Sequence, residues 1–199
     1  MLEKSNVTIS AESLGEALVE ASEKGHGAII RKLLDEGADT NVICGFRNMD
    51  ALATASARGD KVLARLLIER GAVVNKEVDR QVLPLEAAAK NGQQDIVRLL
   101  LEHGADVNIR NGSAIRLAAR GGYEEIVQRL LENGANSNAR GYYYEYYCTA
   151  LEAALSGGHA SMARMLLFRN ANVNIYRDNE RNQEKYQVLL DALIKSSIL

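Results

Sequence analysis

Histidine and cysteine side chains, together with closely spaced glycines, are the groups that could bind a metal, a phosphate or a reacting substrate in this 199-residue chain. The histidines, His26, His103 and His159, lie far apart, and no Cys-x-x-Cys or His-x-x-x-His pair exists. Zinc sites are normally built from such pairs. Gly121-Gly122 and Gly157-Gly158 lack the Lys-Ser/Thr that follows a phosphate-binding loop. The sequence therefore predicts no enzyme, no metal site and no cofactor.

Arginine is the residue type whose placement suggests binding rather than catalysis. Its guanidinium can make two parallel hydrogen bonds to a carboxylate, which suits recognition of an acidic peptide. The candidate partner-binding arginines are Arg47, Arg58, Arg80, Arg110, Arg116, Arg120 and Arg177. We expect all of them except Arg116 to form a basic stripe with Lys24, Lys90 and Arg140. The alternative is that they are solvated residues paired with neighbours such as Asp50 or Asp79.

Aromatic residues supply a second set of candidate binding residues. Five of the eight tyrosines lie between Tyr142 and Tyr147, and tyrosine gives a large, rigid contact area in binding surfaces. Strand alternation would place Tyr142, Tyr144 and Tyr146 on one side and the other two on the opposite side. We predict partner contacts from Phe46, Tyr142, Tyr144, Tyr146 and Tyr176. The alternative is that the tyrosines stiffen a long hairpin by stacking on its neighbours.

A recurring five-residue phrase shows what positions these side chains. It reads Gly37-Ala38-Asp39-Thr40-Asn41 at its first occurrence and returns four more times, ending at Asn75, Asn108, Asn138 and Asn174. Subtracting the Asn numbers gives steps of 34, 33, 30 and 36 residues. A period of this length indicates a repeat array, in which no unit buries its apolar face alone.

Each unit is predicted to contain two helices. Before Gly104, apolar residues at Ile96, Val97, Leu100 and Leu101 form one helical face. Gly104 stands where a helix ends in a left-handed residue, and Asn170 replaces that glycine in the fifth unit. An Ala-rich helix precedes this one, and its small residues let neighbouring helices approach closely: Ala55, Ala88, Ala118 and Ala154.

These motifs resemble the ankyrin repeats. The resemblance is carried by Leu83-Pro84-Leu85-Glu86-Ala87-Ala88-Ala89 and by the segment from Ile96 to Asn108, and it spans roughly residues 14–174 with five units in register. The segment from Thr149 to Ala154, followed by Gly158-His159, is similar to ankyrin arrays of filamentous fungi. The resemblance implies an all-α solenoid of helix-turn-helix units with projecting β-hairpin loops. It also implies that ligands contact the hairpins and first helices.

The chain departs from the family in its opening tetrapeptide, because Pro84 alone keeps the proline, Thr149 alone keeps the threonine, and the histidine is lost. We predict one domain over residues 1–199. Its N-terminal capping repeat begins after an N-cap at Ser10 and covers 10–41, the repeats cover 42–75, 76–108, 109–138 and 139–174, and a C-terminal capping helix region covers 175–199. Two caps favour a complete domain.

Composition narrows the function classes further. The net charge is −2, which disfavours a nucleic-acid binder, and no apolar run is long enough to span a membrane. No signal peptide is apparent, and Cys44 and Cys148 are expected to be free thiols of a reducing compartment. We predict a monomer, cytoplasmic and compatible with the nucleus. Its function would be to bind a partner protein or acidic peptide on a concave hairpin and first-helix face. The alternatives are a structural or regulatory segment of a larger protein, or a nucleic-acid binder.

One more expectation concerns the third connection, which is shorter than its neighbours between Asn108 and Ser113. A short connection would leave a notch in the row of hairpins. We expect that notch to be a groove lined by Arg110, Arg116 and Arg120.

Overall fold

The structure, a computed structural model, describes residues 10–45, 47–143 and 146–172, without the side chains of residues 142–147. In these residues the chain forms ten helices and one antiparallel pair of strands. The helices are α1 (Ala11–Lys24), α2 (Gly27–Asp35), α3 (Ala51–Arg58), α4 (Lys61–Glu69), α5 (Pro84–Lys90), α6 (Gln94–Glu102), α7 (Ile109–Gly121), α8 (Glu124–Glu132), α9 (Ala150–Gly157) and α10 (Ala160–Phe168). The strands are β1 (Gly141–Tyr143) and β2 (Tyr146–Cys148).

The helices pack in two layers, which confirms the predicted solenoid. The odd-numbered helices, called inner helices below, contact one another in chain order, and each contacts the even-numbered outer helix that follows it. Ala55, Ala88, Ala118 and Ala154 are each 0% exposed on the inner helices, so the predicted close approach is confirmed. Leucine and isoleucine side chains of both layers fill the space between them and form one continuous core.

The predicted helix ends are also confirmed. Gly104 follows α6 with a φ of 77°, and Asn170 follows α10 with a φ of 62°. Asn is the residue after glycine that best tolerates this left-handed region, so the substitution keeps the turn. At the other end of the array, Ser10 caps α1 and accepts a hydrogen bond from Ser13 N at 3.1 Å. The repeat boundaries remain predictions, and the segment 175–199 lies outside the described residues.

The last residue of each of the first four phrases joins one repeat to the next through its side-chain amide. Asn75 Nδ2 donates to Gly104 O at 2.8 Å, and Asn75 Oδ1 accepts from Asp106 N at 2.9 Å. The same two bonds join Asn41 to Gly71 and Val73, Asn108 to Gly134 and Asn136, and Asn138 to Asn170 and Asn172. A primary amide both donates and accepts, whereas a carboxylate of the same size only accepts. This dual requirement explains why Asn recurs there.

The residue two places before that Asn has a simpler task. Asp106 Oδ1 accepts from Asn108 N at 2.8 Å, and Asn136 Oδ1 accepts from Asn138 N at 2.9 Å. Asp39 makes the same bond to Asn41 N, and Asp and Asn are interchangeable in this local turn because only an acceptor is used. The second phrase carries Val73 at this place, whose side chain cannot accept.

A buried carboxylate, that of Asp50, ties the second connection to α3. The second connection is the segment 76–83, between the second phrase and α5. Asp50 is 1% exposed, caps α3 by accepting from Ala53 N at 2.7 Å, and accepts from Gln81 Nε2 at 2.9 Å. Burial raises the pKa of Asp50 to about 6, against the lowering effect of the hydrogen bond from Ala53 and the charge of Lys76. The folded protein therefore holds a proton on Asp50 at a pH where the unfolded chain has released it.

The bonds that Asn41, Asn75, Asn108 and Asn138 make to the next repeat are called the amide ladder here. They predict losses of different size for two Asn→Asp changes that add the same charge. Asn108→Asp loses the donor to Gly134 O and places a carboxylate against that carbonyl, so we expect a loss of about 1–3 kcal/mol of unfolding free energy. Asn136→Asp should change it by less than about 0.5 kcal/mol, because Asp39 and Asp106 already fill the equivalent place. Urea unfolding followed by circular dichroism measures both. Equal losses would contradict the ladder.

Asp50 predicts how stability depends on pH. Because its folded pKa of about 6 lies above the unfolded value of 3.8, its contribution to stability is greatest at low pH and is lost as pH rises through 6. Asp50→Asn keeps an N-cap oxygen but does not titrate. The unfolding free energy of the variant minus that of the wild type should therefore increase between pH 4 and pH 7, by an amount on the order of 2–3 kcal/mol. A difference that stays constant with pH would contradict an ionisable, buried Asp50.

Candidate protein-binding surface

The inner helices after α1 carry few carboxylates, and those few are buried. Glu86 and Glu152 are 7% and 8% exposed. Glu86 Oε2 accepts from Leu83 N at 3.1 Å, and Glu152 Oε2 accepts from Thr149 N at 2.6 Å. Each carboxylate therefore satisfies a backbone N–H at the start of its own helix and is not available to a partner.

The exposed charges of α3, α5, α7 and α9 are consequently all cationic. They are Arg58, Lys90 and Arg120, near the C-terminal ends of their helices, and are called the cation row below. Arg58 Nη1 donates to Glu23 O and Arg120 Nη1 donates to Ser156 Oγ, each at 2.5 Å. Cations are favoured at these helix ends by the macrodipole, which gives the row a structural role as well.

Arg110 does not belong to this row, because other residues of the chain hold its guanidinium. Its Nη2 donates to Val78 O at 2.8 Å, its Nε lies 3.3 Å from Glu77 Oε1, and its Nη1 lies 3.2 Å from Glu86 Oε2. Nη1 also donates to Gln81 O. The side chain is 24% exposed, so Arg110 fastens the third repeat to the second connection.

Arg116 is buried, which makes its predicted contact with a partner wrong. The residue is 3% exposed, and burial lowers the pKa of its guanidinium. Its Nη1 donates to Asn111 O and its Nη2 to Arg110 O, the latter at 3.5 Å. A Cβ added to Gly141 would overlap this guanidinium, so Arg116 also requires glycine at the start of β1.

The predicted groove between the second and fourth connections is wrong for the same reason. The short connection is a left-handed turn at Arg110, Asn111 and Gly112, with φ values of 50°, 53° and 66°. Arg110 reaches back to the second connection, Arg116 points under the turn, and Arg120 reaches Ser156 on α9. These three guanidinium groups do not share a cleft, because each is drawn to different acceptors.

Two predicted arginines in the connections are exposed. Arg80 has an 85% exposed side chain and lies 3.8 Å from Asp79 Oδ2, and Arg47 is exposed in the first connection. Within the described residues, the exposed members of the basic stripe are these two arginines, the cation row and Lys24, which pairs with Glu20. The remaining candidates, outside the described residues or with side chains outside them, are Phe46, Tyr142, Tyr144, Tyr146, Tyr176 and Arg177.

The backbone of the Tyr-rich segment forms an antiparallel pair of strands. The strand pairs are Gly141 with Cys148, Tyr142 with Tyr147, and Tyr143 with Tyr146. The chain therefore reverses direction between Tyr143 and Tyr146, whereas the predicted grouping treats the segment as one strand. The side chains of residues 142–147 lie outside the described part of the chain, so the grouping of the tyrosines stays a prediction.

Helix α1 carries the opposite charge. Four exposed glutamates lie on it: Glu12, Glu16, Glu20 and Glu23. Glu20 Oε1 lies 2.7 Å from Lys24 Nζ, which neutralises the one basic residue of this helix. The inner helices together are thus acidic at the first repeat and basic from the second to the fourth.

The residues described in the structure offer little to covalent or metal chemistry. Cys44 and Cys148 are free, as predicted. Burial raises the pKa of both thiols, and the α1 glutamates raise that of Cys44 further, which disfavours the reactive thiolate. Among the described residues no group of histidine, cysteine and carboxylate side chains is arranged to hold a metal ion.

A comparison with models of protein families identifies the family of this chain. A model described as "Ankyrin repeats (3 copies)" matches residues 18–111 and 109–177. The chain belongs to the ankyrin-repeat family. A search of curated proteins finds no match. Ankyrin repeats are generally protein-interaction modules and are typically non-catalytic. None of the helices in the described residues is both long and apolar enough to cross a membrane.

Sequence reasoning about this ankyrin array missed two features of the surface. The first is the charge of α1, which adds four glutamates to the inner layer. The i, i+4 spacing of Glu12, Glu16 and Glu20 was a visible signal of one charged helical face. The second feature is a pocket beside Arg47, Met49 and Thr54. No sequence signal marked it, because its walls come from two repeats.

The different roles of the arginines in this ankyrin array can be separated by stability. Arg110→Ala leaves Glu86 buried without its cation and removes two bonds to backbone carbonyls, so we expect a loss of about 2–4 kcal/mol in unfolding free energy. Arg80→Ala is the matched control and should change it by less than about 0.5 kcal/mol, because the side chain is exposed. Comparable losses from the two variants in denaturant titrations would refute the structural role of Arg110.

Proposed function

We propose that this ankyrin-repeat domain binds an acidic segment of a partner protein on the inner face, meaning the surface formed by α3, α5, α7, α9 and the connections before them. The observation that carries the proposal is the charge of the four helices, since the connections carry both signs, with Glu77 and Asp79 exposed as well as Arg47 and Arg80. Every exposed charged residue of these four helices is a cation, although the whole chain has a net charge of −2. The opposite charge is concentrated on α1, whereas the outer helices carry both signs.

The geometry supports recognition by a rigid surface. The amide ladder and the bonds of Arg110 fix each repeat against the next. A preformed surface loses little conformational freedom on binding, so more of the contact energy appears as affinity. Lys90 makes no hydrogen bond or ion pair with another described residue and is free to meet a carboxylate.

The other predicted functions receive less support. Phosphate binding normally requires a strongly basic surface, and four exposed glutamates border the inner face on α1. A structural or regulatory role within a larger protein would use the same face to contact another segment of that protein. We propose a monomer in the cytoplasm or nucleus, since two free thiols fit a reducing compartment.

Selection of peptides tests the proposal without a known partner. Peptides selected from a random library on the purified protein should be enriched in Asp and Glu. Their affinity should fall about tenfold or more in the triple variant Arg80→Ala, Lys90→Ala, Arg120→Ala, measured by fluorescence anisotropy, because each cation contacts the acidic segment. Arg110, which holds the fold together, is left unchanged.

The matched control removes three exposed cations from outer helices: Lys32→Ala, Arg65→Ala, Arg129→Ala. It has the same net charge as the first triple variant and should keep affinity within about twofold, because long-range charge effects are screened by salt. Peptides without acidic enrichment, or equal losses from both triple variants, would overturn the proposal. Tighter binding to single-stranded oligo(dT) than to the peptides would favour the nucleic-acid alternative.

A further inference from the structure

A pocket of about 400 Å³ opens between the first two repeats. It is called the Arg47 pocket here. Glu23 at the end of α1, Arg47 and Met49 of the first connection, and Thr54, Ala57 and Arg58 of α3 line it. The pocket thus lies beside the cation row and shares Arg58 with it.

The charge of the Arg47 pocket selects for an anion, but for a singly charged one. Arg47 is exposed and makes no hydrogen bond or ion pair with another described residue. Arg58 is held in place by its bond to Glu23 O. The Glu23 side chain is the one carboxylate in the lining. Two guanidinium groups and one carboxylate give a net charge of +1, so the attraction only doubles from a monoanion to a dianion, whereas the desolvation cost, which scales with the square of the charge, rises about fourfold. A dianion such as phosphate is therefore disfavoured.

The deeper part of the pocket is apolar apart from one hydroxyl. Met49 is 6% and Thr54 4% exposed. Thr54 Oγ1 is shut off from solvent and has no hydrogen-bond partner, which is unusual for a buried polar atom. The later inner helices carry Ala87, Leu117 and Ala153 at this place, counted back from Gly92, Gly122 and Gly158. Thr54 is therefore a polar exception in a position that is otherwise apolar.

We propose that the Arg47 pocket receives one glutamate side chain of the partner segment, an inference that rests on the proposed function. The methylene groups of the glutamate pack on Met49 and Ala57. Its carboxylate is bound by Arg47 and Arg58, and guanidinium groups bind carboxylates with two parallel hydrogen bonds. A small displacement of the residues over Thr54 opens its hydroxyl as a further donor. Glutamate suits the site better than aspartate because its longer stem covers the apolar wall.

Small probes test the pocket independently of any peptide. The probes are the N-acetyl methylamides of glutamate, glutamine and phosphoserine, added up to about 50 mM because single residues bind weakly. The side-chain methyl resonances of Met49 and Thr54 are followed by NMR. The glutamate probe should shift both resonances saturably. The neutral glutamine probe and the phosphoserine probe should each bind at least about fivefold more weakly.

Variants of the pocket complete the experiment. Arg47→Ala should weaken the glutamate probe at least about fivefold, and the control Arg80→Ala, which removes an exposed cation outside the pocket, should leave it unchanged. Thr54→Val deletes a hydroxyl that has no partner, so the fold is kept while glutamate binding weakens. The proposal that the pocket binds glutamate would be overturned by any of four results. These are equal binding of glutamate and glutamine, no effect of Arg47→Ala, tighter binding of phosphoserine, or no shift of either resonance. The triple variant used for peptide binding leaves this pocket intact, so the two proposals can fail separately.

Discussion

The side-chain amide of one asparagine holds each repeat of this array to the next, and the rest of the surface depends on that contact. Asn75 donates to Gly104 O and accepts from Asp106 N, and three other asparagines make the same pair of bonds. Each bond contributes only about 1 kcal/mol. Their effect is geometric, because a donor and an acceptor on one rigid amide fix both the distance and the orientation of the neighbouring turn. The connections and inner helices that follow each turn are placed accordingly.

Given this placement, the surroundings of each arginine decide its role. Arg110 faces the carbonyls of Val78 and Gln81 and the carboxylate of Glu86, so it works as a fastener inside the array. Arg80 comes from the preceding connection, and among the described residues its guanidinium pairs with Asp79 alone, at 3.8 Å. Both were expected to form one basic stripe. The difference between them is the number of internal acceptors that the fold brings within reach.

This difference also explains which predictions from sequence succeeded. Helix positions and helix ends follow from nearby residues, such as the apolar spacing before Gly104 and the left-handed tolerance of Asn170, and these predictions were confirmed. The burial of Arg116 depends on a left-handed turn at Arg110–Gly112 and on contact with Gly141, which local periodicity does not reveal. The reversal of the chain between Tyr143 and Tyr146 was likewise not foreseen, because the sequence interpretation treated the segment as one continuous strand.

The left-handed turn shows how the array fixes the region between Lys90 and Arg120. Residues other than glycine cost about 1–2 kcal/mol each in this conformation, and Arg110 and Asn111 both adopt it. Arg116 offsets the strain by donating to both of their carbonyls, and the Arg110 side chain anchors the turn from the other side. A turn held this way does not adapt to a ligand. Selectivity on the inner face must then come from the exposed cations around the turn, of which Arg47 and Lys90 have no hydrogen bond or ion pair with another described residue.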